Sequence, residues 1–442
     1  MRSRSAGWIA RAAAAELVSG DPNGDGPTGI SIDSRTIEPG DLFVGLRGTV
    51  DGGRFAAAAI EAGAWGVLVG SDHALPLSGG AAAVMASDDP LLSMHALARA
   101  WRRVLGCRVV GITGSTGKTS TKDILTALLR GAGAGAHANR ENLNTEIGLP
   151  LTILEAEEGV EVLVLEMAMR GVGQIAELVA VAEPDVGVIV NIGPVHLELL
   201  GTLERVAAAK AELIRDLRPG AACVVPAAEP LLEPHLRKDI ETITFGEGGD
   251  VRLEQLANGV ARIDARGEAI ELELSYDEPH NVLNTVAATA AAIALGVRPH
   301  GRVEVRFSSL RGQLVELDGG VTVVNDCYNA NPMSMRAALE HLAATPAERR
   351  IALLGTMAEL GPDGDSYHRE VGRRAAELGL DVLITVGEGA VRFGDDFDGE
   401  KHFVASPEEA RGVLEELAQP GDRVLIKGSR SVGLERVVGA AV

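Results

Sequence analysis

A chain of 442 residues is too long for one ordinary hydrophobic core, so about two to four domains are expected. Hydrophobic residues make up 46% of it and aromatic ones only 3%, so the interior must be built from Ala, Val, Leu and Ile, which favours helix-covered parallel sheets over aromatic-lined grooves. The formal net charge of -21 excludes a general nucleic-acid surface, because phosphate backbones are held through clustered Lys and Arg.

The first residues, MRSRSAGWIARAAAAELVSG, open with arginines and an apolar stretch, but Arg11 and Glu16 interrupt it before a signal-peptide core can form, so it reads as an amphipathic helix. From 29 to 75 the pattern is strand, turn, strand, helix and strand, a small α/β unit. A helix near 91–105 leads into VVGITGSTGKTSTKDIL, residues 109–125. From there β and α elements are expected to alternate to about residue 300. The runs 161–169 and 184–193 are continuously apolar, as in parallel strands buried on both faces, with a crossover helix around 173–182. After GVRPHGRVEVRF the pattern restarts: GVTVVNDCY, RRIALLGTM, DVLITVG and DRVLIKGS are four further strand candidates separated by helical stretches. Three α/β domains follow, over 1–88, 89–301 and 302–442, with no internal repeat. No run nears the roughly 18 apolar residues that span a bilayer, and Cys107, Cys223 and Cys327 lack metal-ligand spacing. A soluble, cytoplasmic protein without membrane insertion is therefore expected.

The segment 109–125 carries the first chemistry. A strict P-loop needs Gly where this chain has Ile112, yet Gly114, Ser115, Thr116, Gly117, Lys118, Thr119 and Ser120 lie between an apolar strand and a helix. Backbone N–H groups converging at that helix N-terminus can cradle phosphate oxygens, Lys118 can neutralise the β- and γ-phosphates, and the Thr119 hydroxyl can hold Mg2+. A GTPase switch would add an Asn-Lys-x-Asp motif, and the chain contains no Asn-Lys pair. Glu166 ends a buried-type strand, a position that lines the ligand crevice of an open α/β sheet. By spacing alone His196 is a lone core or surface histidine and Lys210, in RVAAAKAELI, a solvated helix lysine. Asn281 and Asn284 fall one helical turn apart in HNVLN, and capping by Asn281 is the reading that spacing favours.

The loop, with NLNTEIGLPLTIL (142–154), LEMAMRGVGQIAEL (165–178), NIGPVHLELLG (191–201), AAAKAEL (207–213), HNVLN (280–284), NDCYNANPMSM (325–335) and KGSRS (427–431), occurs in the order of the Mur ligases, which the chain resembles over nearly its whole length. DSRTIEPGDLFVGLRG in the N-terminal unit agrees, and Tyr-Asn-Ala-Asn-Pro at 328–332 resembles the branch that joins D-Ala-D-Ala to a UDP-N-acetylmuramoyl-tripeptide. Sister ligases and folylpolyglutamate synthase differ in those two stretches. A catalytically silent nucleotide-binding partner stays open on spacing, although Lys118, Thr119, Glu166, His196 and Lys210 are retained together.

The resemblance implies a central parallel-sheet P-loop ATPase domain between a small N-terminal domain for the UDP-sugar and a C-terminal Rossmann-like domain that closes on ATP and the dipeptide. It implies ATP and two Mg2+ ions as cofactors, with Thr119, Glu166, His196 and a carbamylated Lys210 as metal ligands, and a monomer. Adenine would be read by Asn281 and Asn284. Asp326 and Lys427 would reach ATP, and Tyr328, Asn329, Asn331, Ser429 and Arg430 the incoming dipeptide. Ser34, Arg35 and Asp51 would meet the uridine end of the substrate, and Asn144 and Thr145 its sugar-peptide end. Three positions depart from the family pattern: Gln313 with Arg311 as the nearest guanidinium, Ala168 after Glu166-Met167, and Thr356 in LLGTMAELG.

Overall fold

The computed structural model describes residues 1–140, 142–308, 310–317 and 319–439. Their strands form three sheets, which follow one another along the chain.

The N-terminal sheet has the spatial order Glu16–Ser19, Ala83–Ser87, Gly66–Gly70, Asp41–Val44, Gly29–Ser31. Its first strand is antiparallel to its neighbour and the rest are parallel. Only Ala6–Ala12 of the expected leading helix is helical, opened by the Ser5 hydroxyl, which accepts from the Trp8 amide. Ala14 turns out at φ +50, and the chain then enters the sheet edge. Pairing of Glu16–Ser19 with Ala83–Ser87 takes the end of the expected helix into the sheet, a tertiary effect invisible to local pattern.

The central sheet has ten strands, in the order Gly301–Val303, Glu268–Leu274, Val260–Ala265, Val251–Ala257, Glu241–Phe245, Ala222–Pro226, Val186–Ile189, Arg108–Thr113, Val162–Glu166, Ala136–Ala138. From Glu241–Phe245 to Ala136–Ala138 it is parallel. Beyond that the expected alternation of strand and helix fails, and the sheet as a whole is mixed. Two antiparallel hairpins extend it, turning at Asn258-Gly259 and Arg266-Gly267, where all four residues have positive φ. Two-residue turns of that hand match the strand twist, and Asn-Gly is their strongest sequence signal. The expected division at 301/302 falls within the last strand of this sheet, Gly301–Val303.

The strand Arg108–Thr113 is the topological switch point. It pairs with Val162–Glu166 on one side and Val186–Ile189 on the other, so the chain leaves the three carboxyl ends in opposite directions and opens a crevice there. The preceding helix, Pro90–Leu105, sets this strand in place. Asp89 caps it, accepting from the Leu91 and Leu92 amides at 2.9 and 3.2 Å, and Gly106 ends it at φ +62. Its buried Trp101 donates to the Ala156 carbonyl at 2.9 Å, and its Arg102 reaches the Ala182 carbonyl and Asp185. Asp185 in turn accepts from the Val109 amide at 2.8 Å, which pins the start of the strand.

The C-terminal sheet runs Gln313–Leu317, Val321–Asn325, Asp422–Lys427, Arg349–Gly355, Val382–Val386, Glu400–Val404, parallel except for its first strand. All four expected strands are present, and Gln313–Leu317 and Glu400–Val404 are additional edges. Edge strands carry half-exposed residues and so lack the continuous apolar run that marks a central one. Asp422–Lys427 inserts between two strands that precede it in sequence, bringing residues 326–331, 356–359 and 428–430 to one end of the sheet.

Candidate active site

The buried strand Arg108–Thr113 delivers the chain to Gly114, and Gly117 at φ +76 turns it into the helix Lys118–Gly131. An ideal Cβ at Gly117 would lie 2.7 Å from Asn284 Oδ1, so both the backbone hand and the close approach require glycine. Asn191 braces the loop from the next strand end. Its Oδ1 accepts from the Ser115 and Thr116 amides at 3.1 and 2.9 Å, and its Nδ2 donates to the Thr116 carbonyl at 3.1 Å. The Ser115 hydroxyl exchanges hydrogen bonds with the Gly193 backbone at 3.0 and 2.8 Å. Asn191 is a residue that sequence reasoning passed over. The available signal was its place directly after a buried parallel strand, the same logic that singled out Glu166. Ser120 lies half-buried in the first helical turn.

Lys118 and Lys210 meet at this loop. Their Nζ atoms donate to the Gly114 carbonyl at 2.9 and 3.0 Å. Lys210, on the helix Leu203–Arg215, is only 2% exposed, which corrects its reading as a solvated helix lysine. Burial pushes its pKa well below the usual lysine range, with the Lys118 charge adding to the effect. Burial also lowers Lys118, opposed by Glu166 and assisted by Arg311. Desolvation penalises the charged form of an amine, and an arriving anion favours it.

Glu166 is 1% exposed at the end of its strand. The Thr119 hydroxyl donates to Oε2 at 2.7 Å and the Asn144 amide to Oε1 at 2.8 Å. Asn139 fixes the backbone here, accepting from the Glu166 amide at 2.9 Å and donating to its carbonyl at 3.2 Å. Among the described residues no ion pair forms with Glu166. Asn144 is thus committed to this carboxylate, while Thr145 beside it is exposed. Ala168, one of the departures, donates its amide to the Asn144 carbonyl at 2.9 Å, a contact indifferent to its side chain.

His196 opens the short helix Leu197–Leu200 at φ +54. Its Nδ1 lies 2.5 Å from Oε2 of Glu359, a residue of the C-terminal unit that sequence reasoning did not single out. Burial lowers the His196 pKa, and Glu359 opposes the shift.

Asn281 and Asn284 are buried inside the helix Pro279–Ala294, which begins after Glu278 and has no side-chain cap. Asn281 therefore does not cap. Its Nδ2 donates to Glu278 at 3.3 Å, and Asn284 abuts the loop at Gly117.

In the C-terminal unit Lys427 Nζ lies 2.5 Å from Asp326 Oδ2 and donates to the Asn329 carbonyl at 3.1 Å. The Asn331 side chain is spent locally: it accepts from the Ser334 amide at 2.9 Å and caps the helix Pro332–Ala344. Ser429 is buried, its hydroxyl accepting from the Ala358 amide at 2.9 Å and its own amide donating to the Thr356 carbonyl at 3.1 Å. Arg430 is exposed and pairs with Glu435 at 3.3 Å. The Arg311 guanidinium stacks over Tyr328 at 4.1 Å, whereas Gln313 lies exposed on the edge strand. At this bend it is Arg311 that supplies the positive charge toward Lys118.

Ser34, Arg35 and Asp51 lie apart, in turns of the N-terminal unit. Arg35 pairs with Asp33 at 2.6 Å, and Asp51 accepts from the Gly53 amide and meets His73 Nε2, each at 3.0 Å. Among the described residues none of the three bonds to the loop, Glu166 or His196.

Comparison with known proteins bears on this arrangement. Residues 27–100 match the Mur ligase family catalytic domain, 112–292 the Mur ligase middle domain and 310–430 the Mur ligase glutamate ligase domain. The chain is 34% identical to the UDP-N-acetylmuramoyl-tripeptide–D-alanyl-D-alanine ligase of Bacillus subtilis (strain 168), covering 93% of this chain and 92% of that protein. It is 35% identical to the ligase of the same name from Synechocystis, covering 92% and 90%. Among solved structures it resembles MurF from Acinetobacter baumannii, with a TM-score of 0.87 at 27% identity over 99% of this chain and 98% of that one. MurF ligase from Thermotoga maritima, solved in complex with ADP, superposes with a TM-score of 0.81 at 31% identity, covering 93% and 96%. With all three domains matched in order and identity sustained across nine-tenths of its length, the chain belongs to the Mur ligase family.

Proposed function

We propose that the chain is an ATP-dependent ligase that joins D-alanyl-D-alanine to a UDP-N-acetylmuramoyl-tripeptide in peptidoglycan precursor synthesis. The observation that carries this reading is the meeting of Lys118, Lys210, Thr119 and Glu166 around one glycine loop, in a chain so similar to ligases of that name. The γ-phosphoryl group passes to the tripeptide carboxylate, releasing ADP and leaving an acyl phosphate. The dipeptide amine then attacks the acyl carbon, expelling phosphate and losing a proton.

Each step needs anions held together. The loop amides and Lys118 take the β- and γ-phosphates, and the approach of a polyphosphate favours the Lys118 charge that burial penalises. Asn281 and Asn284, next to the loop, take the adenine edge. Glu166 is a buried acid with, among the described residues, only neutral donors at hydrogen-bond distance, an oxygen-rich setting that fits a hard divalent cation. Thr119, Glu166, His196 and Lys210 would hold two Mg2+ ions, which when bound screen the phosphate and carboxylate charges from each other. A buried Lys210 amine, its pKa pushed down by burial, can take up CO2 as a carbamate, becoming an oxygen ligand.

Residues 1–88 would hold the UDP-sugar through Ser34, Arg35 and Asp51, with Thr145 at the sugar-peptide end. Residues 89–301 would hold ATP. Residues 302–442 would close over it with Asp326 and Lys427 on the nucleotide side, and Tyr328, Asn329, Ser429 and Arg430 on the dipeptide side, shielding the acyl phosphate from water. Asn331 would act by starting the helix behind them. The reading places the enzyme in the cytoplasm as a monomer. Three free buried cysteines accord with it, as does the absence, among the described residues, of any helix long and apolar enough to cross a membrane. Phosphate release from ATP with UDP-muramoyl-tripeptide tests the reading: D-Ala-D-Ala should support it, and L-Lys, diaminopimelate and L-Glu should not. Release with another amine and not with D-Ala-D-Ala would overturn it.

A further inference from the structure

Glu359 reaches across from the C-terminal unit and touches the middle unit three times. Its Oε2 lies 2.5 Å from His196 Nδ1, its Oε1 3.4 Å from Arg170 Nε, and its carbonyl accepts from the Glu198 amide at 3.2 Å. It sits between the strand Arg349–Gly355 and the helix Gly364–Glu377, at φ +63, and His196 opposite has φ +54. Left-handed backbone at two non-glycine residues persists only where the surroundings over-determine it. The fit is backbone to backbone, because an ideal Cβ at Gly361 would come within 3.3 Å of the Glu198 amide nitrogen.

The contact has a chemical consequence for the imidazole. An ionised carboxylate can only accept, so the proton between the two groups belongs to Nδ1, and Nε2 of the neutral ring keeps its lone pair. Arg170, itself exposed, pairs with the second oxygen. A histidine whose one nitrogen donates to a carboxylate is oriented and made more basic at the other, the arrangement that supports metal-binding imidazoles. What distinguishes this pair is that donor and acceptor come from different units, so the orientation exists only when both are seated together.

We propose that Glu359 is a positioning residue through which seating of the C-terminal unit sets the Nδ1–H tautomer of His196 and so readies Nε2 for a divalent cation. The inference rests on the ligase reading above and adds to it a reason for the site to be completed only in the closed arrangement. Cation affinity then depends on domain seating without any movement of Glu166 or the loop.

The test uses the full-length chain labelled with 15N-histidine, its His196 signals assigned by their loss in His196→Gln. Without ligand, long-range 1H–15N correlations should show the Nδ1–H tautomer in the wild type. They should show the Nε2–H form in Glu359→Ala and retain Nδ1–H in Glu359→Gln, whose amide oxygen still accepts. Mn2+ binding, followed by electron paramagnetic resonance with a non-hydrolysable ATP analogue, should weaken about 10- to 100-fold in Glu359→Ala. Glu359→Gln should stay close to the wild type, which keeps the test informative if the alanine variant does not fold. A wild type carrying Nε2–H, or a folded Glu359→Ala unchanged in tautomer and in Mn2+ binding, overturns the proposal. If the wild type binds neither the analogue nor Mn2+, the ligase reading fails instead, and the ligand-free tautomer measurement still judges the contact.

Discussion

Lys118 and Lys210 donate to the same oxygen, the Gly114 carbonyl, from 2.9 and 3.0 Å. Two amines on different helices thus converge where the loop turns, and the charge of Lys118 adds to burial in disfavouring that of Lys210. Such a pair is poised to gain from an anion that enters between them.

Lys118→Met should therefore lower kcat/KM for ADP formation by about 100- to 1,000-fold, the usual effect of losing one charge-stabilising donor. Thermal stability without nucleotide should not fall, because the substitution removes a desolvated amine. A variant that keeps wild-type turnover would contradict the role given to Lys118.

The environment of Lys210 calls for a different measurement. With 13C-bicarbonate the wild type should show a carbamate resonance that Lys210→Ala lacks. A short carboxylate such as formate should restore part of the activity of Lys210→Ala by supplying the missing oxygen ligand. Absence of both the resonance and the rescue would leave Lys210 an amine in the working enzyme.

Glu212 is buried on the same helix as Lys210, facing the helix Gln174–Ala182. Its two oxygens accept from the Gly173 and Ala176 amides at 2.6 and 3.1 Å, capping that helix from a distance. Glu212→Ala leaves both amides without a partner and should cost about 1–3 kcal/mol in urea denaturation. Glu212→Gln, which keeps one acceptor oxygen, should lose less.

His368 ties the loop that carries Glu359. Its Nε2 accepts from the Met357 amide at 2.9 Å and its Nδ1 lies 2.6 Å from the Gly364 carbonyl, so the fold requires the neutral ring. Burial lowers its pKa below the ordinary 6.5, so on acidification the unfolded chain takes up the proton first. The stabilisation is complete above pH 6.5 and is lost as the pH falls from there toward the depressed folded value. Melting temperatures between pH 5 and 8 should show a steeper acid loss for wild type than for His368→Gln, whose amide replaces both contacts without titrating. Parallel curves would exclude this source of pH dependence.

Much of the fold was legible because its signals are local. The apolar strands leading to Gly114, Glu166 and Asn191 are buried on both faces and stand out as continuous runs. The hairpins at Asn258-Gly259 and Arg266-Gly267 were also written locally, as turn pairs between alternating strands, and were passed over for a helical alternation. Lys210 was not legible from spacing. A lysine at a helical position looks solvated whichever way its face turns, and only packing against the glycine loop buries it.

By itself the sequence determined the class of chemistry: a phosphate loop between strand and helix, an acid at a strand end and an ordered series of motifs, each set by neighbours in the chain. Tertiary structure decided which of those groups meet. Asn191 on the loop, Asn144 on Glu166, Lys210 beside Lys118 and Glu359 on His196 are contacts between segments 22 to 163 residues apart, or between helices of different origin. Hydrogen bonds and desolvation act through space, so no local pattern encodes them, and they exist only once the sheets bring strand ends and domains together.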